Sequence, residues 1–169
     1  MNSNKIFYAS LIWALLMFFA IHFLKFPGSV PDFEEASGGG ALFDNAMEFS
    51  ADGIYQRLES FGDKGRENYR FRNLSTDLIL PLSLFPFLFL WMRRSTERFM
   101  SKPAIRRLLL SLPLMYVVFD FIENVLVVVL IDHYPQHFDG LASTLAYVTI
   151  LKRLGVFSSL GVLFALLNY

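Results

Sequence analysis

Four long apolar stretches dominate the pattern of hydrophobic and polar positions along this chain. They cover residues 6–24, 75–92, 108–131 and 141–167. An α-helix needs about 20 largely apolar residues to cross the hydrocarbon core of a bilayer, and these stretches are close to that length. The pattern therefore predicts an all-α integral membrane protein, a four-helix bundle formed by one domain over residues 1–169.

The first apolar stretch also invites interpretation as a secretory signal peptide, because Lys5 precedes it. The run is too long for a typical signal peptide, and the residues that follow it, from Phe23 to Phe26, offer no small-residue cleavage site. We therefore expect a permanent first helix.

The basic residues predict the orientation. The segment between the second and third spans, residues 93–107, carries one acid, Glu97, and six cations, Arg93, Arg94, Arg98, Lys102, Arg106 and Arg107. Such an excess is typical of cytoplasmic loops. We expect both termini to be cytoplasmic, with the loop at 25–74 and the turn at 132–140 outside.

The outer loop at 25–74 divides at a run of glycines. The stretch FPGSVPDFEEASGGG is rich in turn residues, and we expect it to be irregular. In SADGIYQRLESFG, Ile54, Leu58 and Phe61 recur at helical spacing and Ser50 stands where an N-cap belongs. This second part predicts a short amphipathic helix.

The stretch DKGRENYRFRNLSTDLILP is expected to continue as one helix into the second span. On such a helix, residues three, four or seven positions apart share a face. That polar face would hold Arg66, Tyr69, Asn73 and Asp77. Pro81 removes an N–H from this helix and predicts a kink just below Asp77.

The stretch FDFIENVLVVVL places polar groups inside the third span. Asp120, Glu123 and Asn124 form a stripe with Tyr116, and each carboxylate at the centre of a membrane helix costs about 2.5–3.5 kcal/mol on insertion scales. Acidic groups at such positions need a partner, a proton or a function.

The fourth span supplies candidate partners. Thr149, Lys152 and Arg153 lie roughly as far below the outer end of this span as the two carboxylates lie below theirs, roughly 12–18 Å at 1.5 Å rise per residue. We expect Asp120 and Glu123 to pair with Lys152 and Arg153, while Thr149, Tyr116 and Asn124 supply hydrogen bonds.

Two interpretations of this cluster remain open. Buried ion pairs sometimes only fix how helices pack, which suits an accessory or structural membrane subunit. Alternatively, the cluster belongs to an outward-opening polar pocket that binds or processes a lipid or other small amphiphile. In an enzyme, Glu123 or Asp120 would act as general base, Lys152 would orient it, and Tyr69 or Tyr116 would donate a proton. The ligand-binding residues would be Arg66, Tyr69, Asn73, Asp77, Tyr116, Asn124, Thr149 and Arg153.

Composition narrows the remaining classes. Hydrophobic residues make up 54% of the chain, and basic and acidic residues balance to a net charge of zero, so nothing favours nucleic acid as a partner. The absence of cysteine excludes disulfides and thiolate sites. We predict no cofactor and no metal site. The expected partners are membrane lipids and a small amphiphilic ligand, with a homo-oligomer or another membrane protein left open.

Several separated motifs occur in order between about residues 42 and 156. The sequence here resembles a family of small, uncharacterised, mainly bacterial four-span membrane proteins with GxxGRxxY, DxxxP, DxxEN and TxxK motifs. The matching positions are Phe43, Asp44, Gly62, Gly65, Arg66, Tyr69, Asp77, Pro81, Asp120, Glu123, Asn124, Thr149 and Lys152. The departures are Phe49, Phe61 and Arg153, of which the last replaces an aromatic residue and alters the charge of the site. The resemblance favours a bacterial inner membrane, and an organellar membrane stays open.

Overall fold

The computed structural model describes residues 3–43 and 50–167. Over these residues the chain is helical, with no strand. The helices are α1 (Ser3–Phe23), α2 (Val30–Ala36), α3 (Ala51–Ser60), α4 (Gly62–Asn73), α5 (Thr76–Phe99), α6 (Pro103–His133) and α7 (Asp139–Leu167). The predicted all-α fold is therefore confirmed.

Four helical segments are long and apolar enough to cross a membrane, namely Asn4–Phe23, Gly62–Phe99, Pro103–His133 and Asp139–Leu166. They contain the four predicted spans almost completely, and the chain is an integral membrane protein. The helices extend beyond the apolar stretches, because α5 continues to Phe99 and α6 begins at Pro103. Only residues 100–102 of the basic segment lie outside a helix.

The four long helices pack in a bundle around α5 and α6. The α6–α7 pair has the most extensive contact, α5 packs against both, and α1 packs mainly against α5. The helices α6 and α7 approach each other closely at Gly155, where an added Cβ would lie 2.8 Å from the backbone nitrogen of Tyr116. Trp13 on α1 donates a hydrogen bond to Ser83 on α5, at 3.1 Å.

The short helices α2, α3 and α4 form a cap over one end of the bundle. Its core joins aromatic and aliphatic side chains of the cap to Val127 and Leu130 on α6 and to Ala142 and Leu145 on α7. Arg70 holds Asp132 at the end of α6, with 2.6 Å between Nε and Oδ1. The cap is thus fixed to the end where α6 leads into α7.

Within the cap, the predicted amphipathic helix is confirmed as α3. Ser50 accepts the N–H of Gly53 at 3.0 Å, and Ile54 and Leu58 are buried. The expectation of irregular structure before the glycines is wrong, because α2 forms there. Ser29 caps its first turn by accepting the N–H of Asp32, and the proline in that turn suits a helix start.

The expectation of one continuous helix into the second span is also wrong. The helix is interrupted at Leu74 and Ser75, between α4 and α5. Arg72, only 2% exposed, donates hydrogen bonds to the carbonyl oxygen of Gly28 at 3.0 Å and to Asp77 at 2.9 Å. The break places Arg72 and Asp77 against each other. On a straight helix, two residues that are five positions apart would not lie on the same face.

Candidate functional site

A cluster of three charged side chains joins α6 and α7 inside the bundle. The Nζ of Lys152 lies 3.4 Å from an oxygen of Asp120 and forms a second, closer ion pair with Glu123. All three residues are at least 95% buried. The predicted pairing of both carboxylates with Lys152 is therefore present across the helix interface.

Neutral side chains complete the cluster. The hydroxyl of Thr149 donates a hydrogen bond to Glu123, and the amide of Asn124 donates one to Asp120 at 3.2 Å. The Oδ1 of Asn124 is buried and accepts no hydrogen bond from any described residue. Glu123 is thus held on both oxygens by α7, whereas Asp120 is held by Lys152 and by its own helix.

A cavity of about 190 Å³ lies between α5, α6 and α7 beside this cluster. Five of the predicted site residues line it, and they come from all three helices: Asp77, Tyr116, Asp120, Lys152 and Arg153. The same cavity is bounded by Leu80, Pro81, Val156 and Phe157. Phe157 is 66% exposed, so the cavity borders the lateral surface of the bundle.

The charges around the cavity balance. Lys152 pairs with two carboxylates, and Arg153 on the next position of α7 supplies a second cation at the cavity wall. Asp77 is paired with Arg72, which lies in the α4–α5 junction. Three acids and three bases therefore lie at or next to the cavity, and their mutual attraction offsets part of the cost of burial.

Pro81 lies one helical turn after Asp77, and both residues belong to the wall of this cavity. Because proline has no N–H, position 81 cannot donate the helical hydrogen bond to the carbonyl oxygen of Asp77.

The remaining predicted site residues divide into two groups. Glu123, Asn124 and Thr149 belong to the ion-pair cluster but do not line the cavity. The interruption between α4 and α5 separates Arg66, Tyr69 and Asn73 from Asp77. The side chains of these three α4 residues make their contacts at the cap.

The contacts of these three α4 residues are specific. Arg66 stacks over the ring of Tyr134 at 4.2 Å and donates to the carbonyl oxygen of Leu58 at 2.8 Å. The hydroxyl of Tyr69 accepts the N–H of Phe43 at 3.1 Å, and the amide of Asn73 donates to the carbonyl oxygen of Tyr69 at 2.7 Å. Their direct binding of a ligand stays a prediction.

Arg72 is the site residue that the sequence analysis missed. It lies off the face defined by a straight helix through Tyr69 and Asn73. The signal that could have found it is the Ser75-Thr76-Asp77 sequence, which is typical of a helix start. A new helix beginning there turns Asp77 toward the end of the preceding helix.

Outside the spans, Asp32 fixes the start of α2 to α4. Its carboxylate accepts hydrogen bonds from the side chain of Asn68 at 2.6 Å and from the N–H of Gly28 at 2.9 Å. These bonds, led by that from Asn68, hold the pKa of Asp32 below its ordinary value of 3.8. The charged form of Asp32 therefore stabilises this part of the cap.

No group of three or more His, Asp or Glu side chains among the described residues is arranged to hold a metal ion. Comparisons of the chain with protein-family models, with curated proteins and with solved structures found no match. Function is therefore inferred from the geometry of the cavity and its charged cluster.

Proposed function

We propose that this protein binds or processes a lipid or other small amphiphile in the cavity between α5, α6 and α7. The observation that carries the proposal is the position of five polar or charged residues around one cavity that also borders the lateral surface. A polar headgroup fits against Asp77, Asp120 and Lys152, while an apolar tail fits past Phe157 toward the surrounding lipid.

The number of charges favours a binding site over a device that fixes helix register. One buried pair is enough to set register, and charged groups in a membrane interior are costly. Here Arg153 and Asp77 line the same cavity as the Asp120–Lys152 pair, and Asp77 is paired with Arg72. Such a concentration supports a ligand that carries charges of its own.

If the protein is an enzyme, Asp120 is the better candidate for the general base. Its carboxylate lines the cavity, whereas Glu123 is enclosed by Lys152 and Thr149 and does not reach the wall. Lys152 would orient Asp120 and stabilise developing negative charge, and Tyr116 would donate a proton.

The proposal includes an orientation. The excess of cations in residues 93–107 supports a cytoplasmic position for the α5–α6 linker, so both termini would be cytoplasmic and the cap of α2, α3 and α4 would face outward. The membrane proposed is a bacterial inner membrane.

A second candidate function is an accessory subunit whose ion pairs only fix helix packing. The enclosure of Glu123 favours it, because Lys152 and Thr149 hold this carboxylate between the two helices, and Glu123 itself does not line the cavity. This candidate predicts that filling the cavity has no effect on bound small molecules.

Mass spectrometry of small molecules and lipids that co-purify with the gently extracted protein tests the two candidates. Val156→Phe would fill the cavity without changing its charge, and Leu160→Phe on the same helix is the matched control, because Leu160 is 43% exposed and does not line the cavity. Asp120→Asn removes one charge from the wall.

We expect a species enriched on the wild type and on Leu160→Phe, and reduced by about tenfold on Val156→Phe, which corresponds to ~1.4 kcal/mol of binding free energy. Its chemical alteration on Asp120→Asn would identify turnover. The same bulk lipids in equal proportion on all four proteins would reject the binding site and favour the accessory subunit.

A further inference from the structure

A second cavity lies at the opposite end of the bundle from the cap. It has a volume of about 540 Å³, within the range of pockets that hold small ligands. Its lining is apolar and comes from the end of α5, the start of α6 and the end of α7: Phe99, Met100, Ile105, Leu109, Val162 and Leu166. None of these residues lines the cavity of the charged cluster.

Basic residues are neighbours in the sequence of several residues that line this apolar cavity. Arg98 precedes Phe99, Lys102 lies between Met100 and Ile105, and Arg106 and Arg107 follow Ile105. The cavity and the six cations of residues 93–107 therefore occupy the same end of the bundle.

Part of this positive charge has no ion-pair partner among the residues that the structure describes. Glu97 is the only acid between residues 93 and 107, and it already pairs with Arg93 and Arg106, both at 3.0 Å. Arg98, Lys102 and Arg107 are exposed, and each lies within two residues of a lining residue in the sequence. An anionic group is the complementary ligand for these three cations.

We propose that this end of the bundle is a binding site for an anionic diacyl phospholipid of the surrounding membrane. One acyl chain would occupy the apolar cavity between α5, α6 and α7, and the phosphate would lie against Arg98 and Lys102. Basic segments next to membrane helices attract anionic lipids, and each Lys or Arg near the membrane surface changes the affinity about fivefold. This site is independent of the proposed function at the charged cluster.

Native mass spectrometry of the full-length protein in detergent tests headgroup selectivity. The probes are dioleoyl-phosphatidylglycerol and dioleoyl-phosphatidylcholine, which share acyl chains and differ in charge. We expect the anionic lipid to bind more tightly, and the double variant Arg98→Gln/Lys102→Gln to lose that preference by about fivefold for each cation removed. Lys64→Gln, an exposed cation in the cap, is the control. Equal binding of the two lipids would overturn the proposal.

A second variant tests the position of the acyl chain. Ala165 lines the apolar cavity, so Ala165→Phe should reduce binding of the anionic lipid, whereas Ala9→Phe on the exposed surface of α1 should not. If Ala165→Phe does not fold, the wild type decides the question. Phosphatidylglycerol with a photoactivatable diazirine in one acyl chain should label residues 99–109 and 162–166. Labelling elsewhere, or a dimer that Ala165→Phe disrupts, would contradict the proposal.

Discussion

At the scale of single residues, Lys152 is held in place by both burial and charge. It is 5% exposed and pairs with two carboxylates from the neighbouring helix. Its two acidic partners are accordingly left without this cation when Lys152 is removed. Uncompensated charge in a buried site is strongly destabilising.

We therefore expect Lys152→Met to lower the free energy of unfolding by about 3–5 kcal/mol. Denaturation of the purified protein by increasing concentrations of SDS, followed by circular dichroism, measures this change. The triple variant Asp120→Asn/Glu123→Gln/Lys152→Met is the control, because it removes all three charges and should recover much of the loss. A single variant as stable as the wild type would show that the ion pairs contribute little.

The sequence predicted this cluster because helical geometry alone relates its members. Asp120, Glu123 and Asn124 share a face of α6, and Thr149 and Lys152 share a face of α7, at similar depth. The roles of Arg72 and Arg66 could not be predicted in this way. Arg72 is positioned by the carbonyl oxygen of Gly28, 44 residues earlier in the chain, and such a contact has no local signal.

At the scale of the helices, the four membrane segments follow from hydropathy. A helix satisfies its own backbone hydrogen bonds, so a long apolar run in a membrane has few alternatives. The cap is different, because α2 has only seven residues and depends on Ser29, Asp32 and their contacts with α4. Short helices of this kind are stabilised by tertiary structure more than by their own sequence.

The contact between α6 and α7 depends on the absence of a side chain at Gly155. An added methyl group would meet the backbone of Tyr116 at 2.8 Å, and backbone atoms cannot move aside as a flexible side chain can. We expect Gly155→Ala to separate the helices and to cost about 1–3 kcal/mol, as overpacking does. SDS denaturation again provides the measurement.

Gly161→Ala on the same helix is the matched control. No heavy atom lies within 4 Å of the position its Cβ would take, apart from the surroundings of the helix itself. Alanine has the higher helix propensity, so this variant should be as stable as the wild type or slightly more stable. Equal effects of the two substitutions would argue against a close approach of α6 and α7.

The attachment of α2 to α4 should depend on pH through Asp32. Because its folded pKa is lowered, its stabilising effect is complete above the ordinary value of 3.8 and is lost as pH falls through the lower folded value. Lowering the pH from 6 to 3 should speed opening of residues 26–37, measured by hydrogen–deuterium exchange corrected for the intrinsic effect of pH. Asp32→Asn should reduce this dependence, whereas Glu34→Gln, at an exposed position, should preserve it.

At the scale of the whole molecule, the two ends of the bundle differ in both structure and charge. One end carries the cap, whose aromatic core packs on the α6–α7 connection. The other carries the basic α5–α6 linker and the apolar cavity. The charged cluster lies between these two ends. The orientation of the bundle decides on which side of the membrane the cap lies, and therefore from which side a water-soluble ligand would approach it.

The absence of native cysteine allows this orientation to be measured without background labelling. Glu34 in the cap and Ser101 in the linker are both exposed, and each can be replaced by cysteine singly. In intact cells, a membrane-impermeant maleimide should label Glu34→Cys, whereas Ser101→Cys should react only after the membrane is permeabilised. The physical reason is the positive-inside rule, since six cations oppose one acid in residues 93–107. The reverse labelling pattern would place the cap in the cytoplasm, and would also move the proposed anionic-lipid site to the outer leaflet.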